Sequence, residues 1–492
     1  MSSTQRPLPV LAIIGGGLAG TLAAIQTIRT SKHPLIVRIF EPEAELGRGL
    51  AYATPDYNHK LNGPAKAFGL RPDDPLHFAH WLEHAARAAP WKDFEDGANA
   101  FAPRWIYGDY VSAELVHALD EAQHRVVFEH VRAKVDDIHA HAGGLSIVTE
   151  DGLQFDADHV VLALGVFPTR STLIRDQRLL EQGLYLPNPW QPAQLERLLQ
   201  KDSVLLIGSS LTMIDTVVAL EARGYRGTYE VVSRRGLTPE ARREPPVWPE
   251  FIEVGALHTA RSLLRSVREQ LRKARAQDDD WQRLVLAVRP HLASIWSRLS
   301  IVERRRFMRH VRPFWDVFLH RAPPPSALVI DAVRAAGRLR AHAASLQRIE
   351  LGEAGRVSVQ YRPRGTQQVN VSEVDAVVNC VGFEYLWERV TDEPLVKSLL
   401  ARGLVRPSSI ELGIDADPGS LAVIDATGVQ SSRISAIGLP LRGVLFESGT
   451  IGELLRQAVL LAPRLSLCAT PAVPAAPAAV RSPDELQTAQ SI

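Results

Sequence analysis

Apolar residues along this chain gather in short β-branched runs that end on glycine and lead into stretches of helical spacing, and the arrangement starts twice. Residues 8–14 (LPVLAII) meet three glycines and then a helix-like pattern, so strand, tight turn and helix are expected in that order, with a second strand over 35–40. Residues 44 to about 105 are loop-rich, and 109–121 predicts an amphipathic helix. The stretch GLSIVTEDGLQFDADHVVLALG predicts a hairpin about an Asp-Gly turn, then a buried strand over 160–164 that ends on Gly165. A new strand-turn-helix starts at Ser203 (SVLLIGSSLTMIDTVVAL), and its following strand, 229–233, runs into Arg234 and Arg235. Residues 258–321 break this rhythm with long helical periodicity around Trp281, Trp296 and Trp315. Strands are expected again at 328–330 and 346–361. The apolar run 376–381 ends on Gly382, repeating the shape of 160–165, and a last strand, 434–437, leads to Gly438 and a helix from about 450 to 461. The Ala/Pro-rich tail, 469–492, is expected to be disordered.

The order of elements predicts an α/β protein with two Rossmann-like dinucleotide-binding domains and a helical insertion. One nucleotide domain takes 8–170 and is completed by 384–465; the other takes 200–383 and carries the insertion 258–321. With 492 residues, 46% of them hydrophobic, the chain has ample material for buried cores. A formal net charge of +1 gives no overall field to recruit nucleic acid or a membrane surface. Two cysteines, Cys380 and Cys468, form no C-x-x-C pair; this fits a reducing cytoplasm and argues against a dithiol reductase or a thiolate metal site. The early apolar run is too short and too broken by glycine for a membrane span or a signal peptide.

Gly15, Gly17 and Gly20, with Leu18 and Ala19 between them, satisfy G-x-G-x-x-G between a predicted strand and a predicted helix, where backbone N–H groups and a helix N-terminus can hold a pyrophosphate. Glu41, at the end of the second strand, can accept hydrogen bonds from both ribose hydroxyls of an adenosine and disfavours a 2′-phosphate, so FAD or NAD is expected there. Gly208, Ser209, Ser210, Leu211 and Thr212 form a degraded relative of the same fingerprint. Ser233, Arg234 and Arg235 stand at the tip of its second strand, where guanidinium groups could fork onto a 2′-phosphate and favour NADPH over NADH. The bland alternative is a surface pair of arginines beside a structural turn. Two dinucleotide sites in one chain suit hydride transfer from a nicotinamide to a flavin. The strand ends at Gly165 and Gly382 would be the crossings between the domains, with Cys380 a small core residue.

The insertion holds 14 Arg and one Lys against six acids between 261 and 321, a local balance of +9. These side chains are either solvated helix faces around tryptophan anchors or, in part, the wall of a cleft that binds cofactor phosphates or a carboxylate substrate. None of the 16 histidines, His59, His77, His310 and His320 among them, falls in a metal-ligand spacing, and no G-x-S-x-G nucleophile elbow occurs.

Gly15 to Gly20, Glu41, the segment GRGLAYATPDYNHKLNGPAKAFGLRPDDPLHFAHWL, GSSLTMID, VSRRGLTP and the late PLRGVLFESGTIGELLRQA together resemble a bacterial family of FAD/NAD(P)-binding oxidoreductases related to flavin-dependent N-hydroxylating monooxygenases, with members similar to L-aspartate N-monooxygenase. The resemblance covers about residues 8–465. It implies that Gly15, Gly17, Gly20, Glu41 and Arg48 hold the adenosine half of FAD, that Leu61 and Asn62 approach the isoalloxazine, and that Asn62 and Arg48 orient it. It further implies that the segment from Gly443 to Thr450 closes over the flavin, with the helix N-terminus stabilising negative charge on the reduced ring. Such an enzyme would use NADPH, FAD and dioxygen to hydroxylate a small amine or amino acid through a flavin C4a-hydroperoxide. An acidic amino acid is the substrate that the arginine-rich insertion and this kinship suggest. A reductase passing electrons to a protein or quinone, and a non-enzymatic redox sensor, are the other readings.

Overall fold

The computed structural model describes residues 8–88, 97–169, 174 and 176–467, so the tail 469–492 lies outside the described residues. The first sheet is built on β1 (Val10–Ile14), whose residues from Leu11 to Ile14 are all buried, as a strand covered on both faces requires. On one side β1 pairs in parallel with β2 (Leu35–Phe40), and β2 with β3 (Val126–Val131). The hairpin strands follow: β4 (Val135–His141), β5 (Gly144–Thr149) and β6 (Gln154–Ala157) form a separate three-stranded antiparallel sheet. Asp151-Gly152 turns the chain between β5 and β6, with Gly152 at φ +82°. β7 (His159–Leu162) then returns to the other side of β1.

The second sheet repeats the plan. Its parallel part takes β8 (Tyr185–Leu186), β9 (Ser203–Ile207), β10 (Thr228–Ser233), the first half of β11 (Leu339–Leu351) and, between β8 and β9, β14 (Ala376–Asn379). β11 is long enough to leave that layer and pair antiparallel with β12 (Val357–Pro363), which in turn pairs with β13 (Asn370–Val374). After β14 the chain goes back to the first sheet. There β16 (Gln430–Ala436) lies parallel beside β7, with β15 (Ala422–Ile424) antiparallel at the edge, and the helix Ile451–Leu467 packs on the helix Leu18–Thr30.

Between β10 and β11 the helices Ala260–Ala276, Gln282–Val288, Leu292–Arg298, Ile301–Arg306 and Arg312–Leu319 enclose a core of their own, with Trp296 and Trp315 buried and Trp281 half-buried. Trp296 stacks on Phe446 with ring centroids 4.7 Å apart and donates its indole N–H to the Gly443 carbonyl at 3.2 Å. Aromatic burial thus fastens the insertion to the segment that precedes the last helix.

One expected strand is a helix. Residues 328–330 fall inside Pro324–Ala335, where Pro at the first turn starts the helix and Ala327, Ile330 and Val333 recur every third residue on a buried face. The helix His77–Ala88 and the strands β3 and β4 lie in stretches whose sequence pattern is too mixed to announce them.

Candidate functional site

The two glycine turns are built alike. Gly15 (φ +105°) donates its N–H to the Phe40 carbonyl, and Gly208 (φ +105°) donates to the Val232 carbonyl, both at 2.9 Å. A Cβ on either glycine would sit 2.6 Å from a carbonyl oxygen of the adjoining strand end, Ala163 in one case and Cys380 in the other, so only glycine fits. Helices start at Leu18 and Leu211, and their N-caps, Gly17 and Ser210, make no side-chain capping bond. Side chains therefore leave the first-turn N–H groups free for an anion. Gly20 is required for packing, since a Cβ there would lie 1.9 Å from the Gly15 oxygen; Met213, buried, takes the matching place in the second turn.

This matching of hydrogen bonds pairs Glu41 with Ser233, each the residue that follows the acceptor carbonyl. Glu41 Oε2 accepts the Gly16 N–H at 2.8 Å, whereas Ser233 Oγ lies 2.9 Å from Ser209 Oγ. The second turn thus lacks a carboxylate at the ribose position and places Arg234 and Arg235 directly after it, an arrangement that admits a 2′-phosphate instead of repelling it.

A cleft of about 870 Å³ opens between the two sheets. Glu41, Arg48, Gly49 and Gly165 line it from the first unit, and Thr212, Asn379 and Gly382 from the second. Thr169 Oγ1 donates to the Gly382 carbonyl at 2.6 Å, and Phe167 and Glu384 pair through their backbones, so the two strand crossings lie side by side on its floor. Neither Gly165 nor Gly382 has an atom within 4 Å of a built Cβ, which leaves open space at both. Arg48 is anchored to the Trp105 carbonyl at 3.1 Å and to Asp109, which fixes its guanidinium at the rim. The uncapped donors, Glu41 and the open floor fit a dinucleotide in size and chemistry. Trp190 and Thr169, also in the wall, carried no local sequence signal.

Leu61 is buried and donates its N–H to Ala102, and the Asn62 carbonyl accepts from Arg242 Nη1 at 3.2 Å. Ala19 and Gly438 meet where the last strand reaches the first helix, at 3.3 Å from a built Cβ, and the Gly438 N–H donates to Gln457 Oε1 at 2.7 Å. Gly443 packs against Ser408, and Thr450 precedes the last helix in the wall of a second cavity of about 420 Å³. Arg289, His320 and Glu447 also line that cavity.

Sequence spacing could not foresee the basic cluster that links these places. Arg242 and Arg321 are joined through the Ala241–Ala322 backbone pairing, and Arg289 arrives from the insertion. Arg321 is 2% exposed, with Nε and Nη2 unpaired and only Gln282 within reach of Nη1. Burial, then the Arg242 and Arg289 charges, push its pKa down to about 10. Arg289 presents its surface to the cavity, yet the protein around it strips hydration and lowers its pKa, an effect that Arg242 reinforces and Glu447 opposes. Glu447 Oε1 is buried without a partner. The cavity wall presents the Arg289 guanidinium and an unpaired Glu447 carboxylate oxygen, groups of opposite charge that suit a small zwitterion, while Arg242 and Arg321 do not line it.

Two ion pairs cross between the halves in opposite senses. Arg104 Nη2 reaches Asp215 Oδ2 at 2.7 Å, and Arg223 pairs with Asp56; both carboxylates are buried. Burial is the strongest single influence and works against ionised Asp56, but the Arg223 hydrogen bond, the Asn58 backbone N–H and the His59 and Arg223 charges together outweigh it and keep that carboxyl below its ordinary range. Asp215→Asn is expected to cost about 3 kcal/mol, since it strands a half-buried guanidinium, and to lower the thermal midpoint. Calorimetric melting of the two proteins checks this. Cys380, fully enclosed, has its thiol pushed up to about 12 by burial. Its peptide is expected to stay unalkylated in the folded protein at pH 8 and to label fully in denaturant, since the thiolate is the reacting form. Among the described residues no group of three or more His, Cys, Asp or Glu could hold a metal ion. Nor is any helix among them long and apolar enough to cross a membrane.

Residues 12–167 match a sequence family described as FAD-NAD(P)-binding. Among curated relatives, uncharacterised proteins of Mycobacterium tuberculosis and Mycobacterium bovis are 24% identical over 382 residues, 68% of this chain and 70% of theirs. Among solved structures the fold is shared with an ornithine N-hydroxylase of Kutzneria sp. 744, solved with reduced FAD, NADP+ and L-ornithine (TM-score 0.65, 12% identity, covering 94% of this chain and 100% of that one). It is shared equally with L-lysine 6-monooxygenase of Pseudomonas syringae (0.64, 17%, 94% and 100%) and a cadaverine monooxygenase of Erwinia amylovora (0.63, 12%, 94% and 95%). The match to the FAD-NAD(P)-binding family is thus confined to residues 12–167, and with these monooxygenases the chain shares the two-sheet α/β fold.

Proposed function

We propose that this protein is an FAD- and NADPH-dependent monooxygenase that hydroxylates the nitrogen of a small amino acid with an acidic side chain. The observation that carries the reading is the single cleft faced by both strand crossings, with a carboxylate after one glycine turn and Ser-Arg-Arg after the other. FAD is assigned to the unit made of 8–170 and 384–465, and NADPH to 200–383. Held there, NADPH would supply the hydride and FAD the reactivity toward dioxygen, one oxygen atom going to the substrate nitrogen and the other to water.

The chain itself binds, orients and screens. Gly15 and Gly17 let the backbone approach the pyrophosphate, Gly20 lets the helix pack closely on the turn, and Glu41, freed from the Gly16 N–H, accepts the ribose hydroxyls. Arg48 holds the rim, and the Asn62 side chain, whose backbone Arg242 fixes, orients the ring. The helix N-terminus after Thr450 favours negative charge beside it. Arg289, backed by Arg242 and Arg321, takes the substrate carboxylates, and the buried Glu447 oxygen receives the amine. The apolar wall of Leu445 and Phe446 keeps water from the reacting nitrogen.

The test is to purify the yellow protein, bleach the flavin with NADPH under anaerobic conditions, then admit oxygen with a panel of amino acids and amines. An N-hydroxylated acidic amino acid formed in step with NADPH consumption is expected. Peroxide alone across the panel overturns the reading in favour of a reductase. Absence of NADPH-dependent bleaching overturns both.

A further inference from the structure

A concavity of about 1200 Å³ shares no lining residue with the cleft or the cavity described above. Arg234 and Arg235 form one wall at the tip of β10. The opposite wall belongs to the helical insertion, where Arg305, Arg306, Arg309 and Arg312 face the same space, and Arg364 closes it from the β12–β13 turn. Only two acids, Asp316 and Glu411, line it against these seven guanidinium groups. Arg312 is 3.4 Å from Asp316, and its Nε is buried without a hydrogen bond.

Two further contacts show that the walls are registered against each other. The Arg235 guanidinium lies 5.0 Å from the Phe314 ring centroid, and Arg305 Nη2 donates to the Ser409 carbonyl at 2.8 Å. Phe307, Val311, Trp315 and Phe318 are buried on the other face of the same helical stretch, so its register commits the arginines to the cleft. A π-helical turn at Phe307–Val311 sits in the middle of this wall, a feature that concentrates at functional sites. Like charges gathered in a concavity raise its potential, and a multiply charged anion relieves it.

We propose that the insertion is a clasp for the 2′-phosphorylated adenosine of the nicotinamide nucleotide, with Arg309 and Arg312 gripping from the insertion side the phosphate that Arg234 and Arg235 hold from β10. The clasp rests on the assignment of NADPH to the second turn. It makes the insertion a determinant of coenzyme choice, and it couples nucleotide binding to the part of the molecule whose Trp296 holds Gly443 and whose Arg289 enters the substrate cavity.

Calorimetric titration of the FAD-loaded protein with 2′,5′-ADP and with ADP separates the terms without turnover. Arg309→Ala/Arg312→Ala is expected to weaken 2′,5′-ADP at least about tenfold and ADP less than about twofold, with the melting midpoint unchanged. Arg265→Ala, exposed on the insertion outside the cleft, is the control for general charge loss and is expected to bind as the parent does. Unchanged 2′,5′-ADP binding in the double variant, or equal weakening of both ligands or by the control, overturns the clasp. If inorganic phosphate competes as well as 2′,5′-ADP mole for mole, the site is a simple anion site and the clasp also fails. Parent protein that binds 2′,5′-ADP while the double variant does so equally leaves NADPH as reductant. Parent protein that binds neither ligand and is not bleached by NADPH removes both proposals.

Discussion

Gly15→Ala is expected to yield protein without flavin. The added methyl would meet the Ala163 carbonyl at 2.6 Å at a φ of +105°, so the turn must open or the strand end must shift. The backbone strain alone is about 1–3 kcal/mol, and displacement of the N–H groups adds to it, for a loss of about 100-fold or more in FAD affinity. Gly165→Ala separates folding from binding. Nothing lies within 4 Å of a Cβ built there, and the residue faces the cleft, so the stability of the apoprotein should change by less than about 0.5 kcal/mol while FAD binding drops. Flavin titration by fluorescence together with thermal melts of both apoproteins reads the two effects. Full flavin retention in Gly165→Ala would place the cofactor elsewhere.

Removing charge from the basic cluster is expected to act in opposite directions on stability and on substrate. Arg321 is buried with two unpaired N–H positions, so Arg321→Met gives back a desolvation cost and should raise the melting midpoint or leave it unchanged. Arg289→Met takes a guanidinium from the cavity wall, and the loss of a charge-assisted contact of about 2–3 kcal/mol corresponds to a rise in substrate KM on the order of 100-fold. NADPH oxidation should continue in both variants, with peroxide replacing the hydroxylated product. A clear fall in stability for Arg321→Met with KM unchanged in both would make these arginines structural.

Much of the first turn was legible because its signal is local: an apolar run, glycines at fixed offsets and a carboxylate one strand later are set by backbone sterics within some thirty residues. The second turn was legible for the same reason, although of the fingerprint glycines only Gly208 is kept. The sequence placed Ser233 at the strand tip where the first turn has Glu41, and the structure fixes the equivalence by which carbonyl accepts the glycine N–H. The misread segment at 328–330 shows a different limit. Three apolar residues in a row satisfy both strand and helix, and the decision came from burial of one helical face against the second sheet.

The amino-acid order by itself determined the two strand-glycine-helix turns, the α/β plan and the charge excess of the insertion, since each depends on neighbours in the chain. Only the tertiary structure decided where that charge goes. Arg242, Arg289 and Arg321 converge from three distant segments on one cluster around the buried Arg321, while Arg305, Arg309 and Arg312 meet Arg234 and Arg235 across a separate cleft. The reason is that burial of Trp296, Phe307 and Trp315 fixes the orientation of the insertion, and the side chains on its remaining faces are carried to whatever surface that packing leaves beside them.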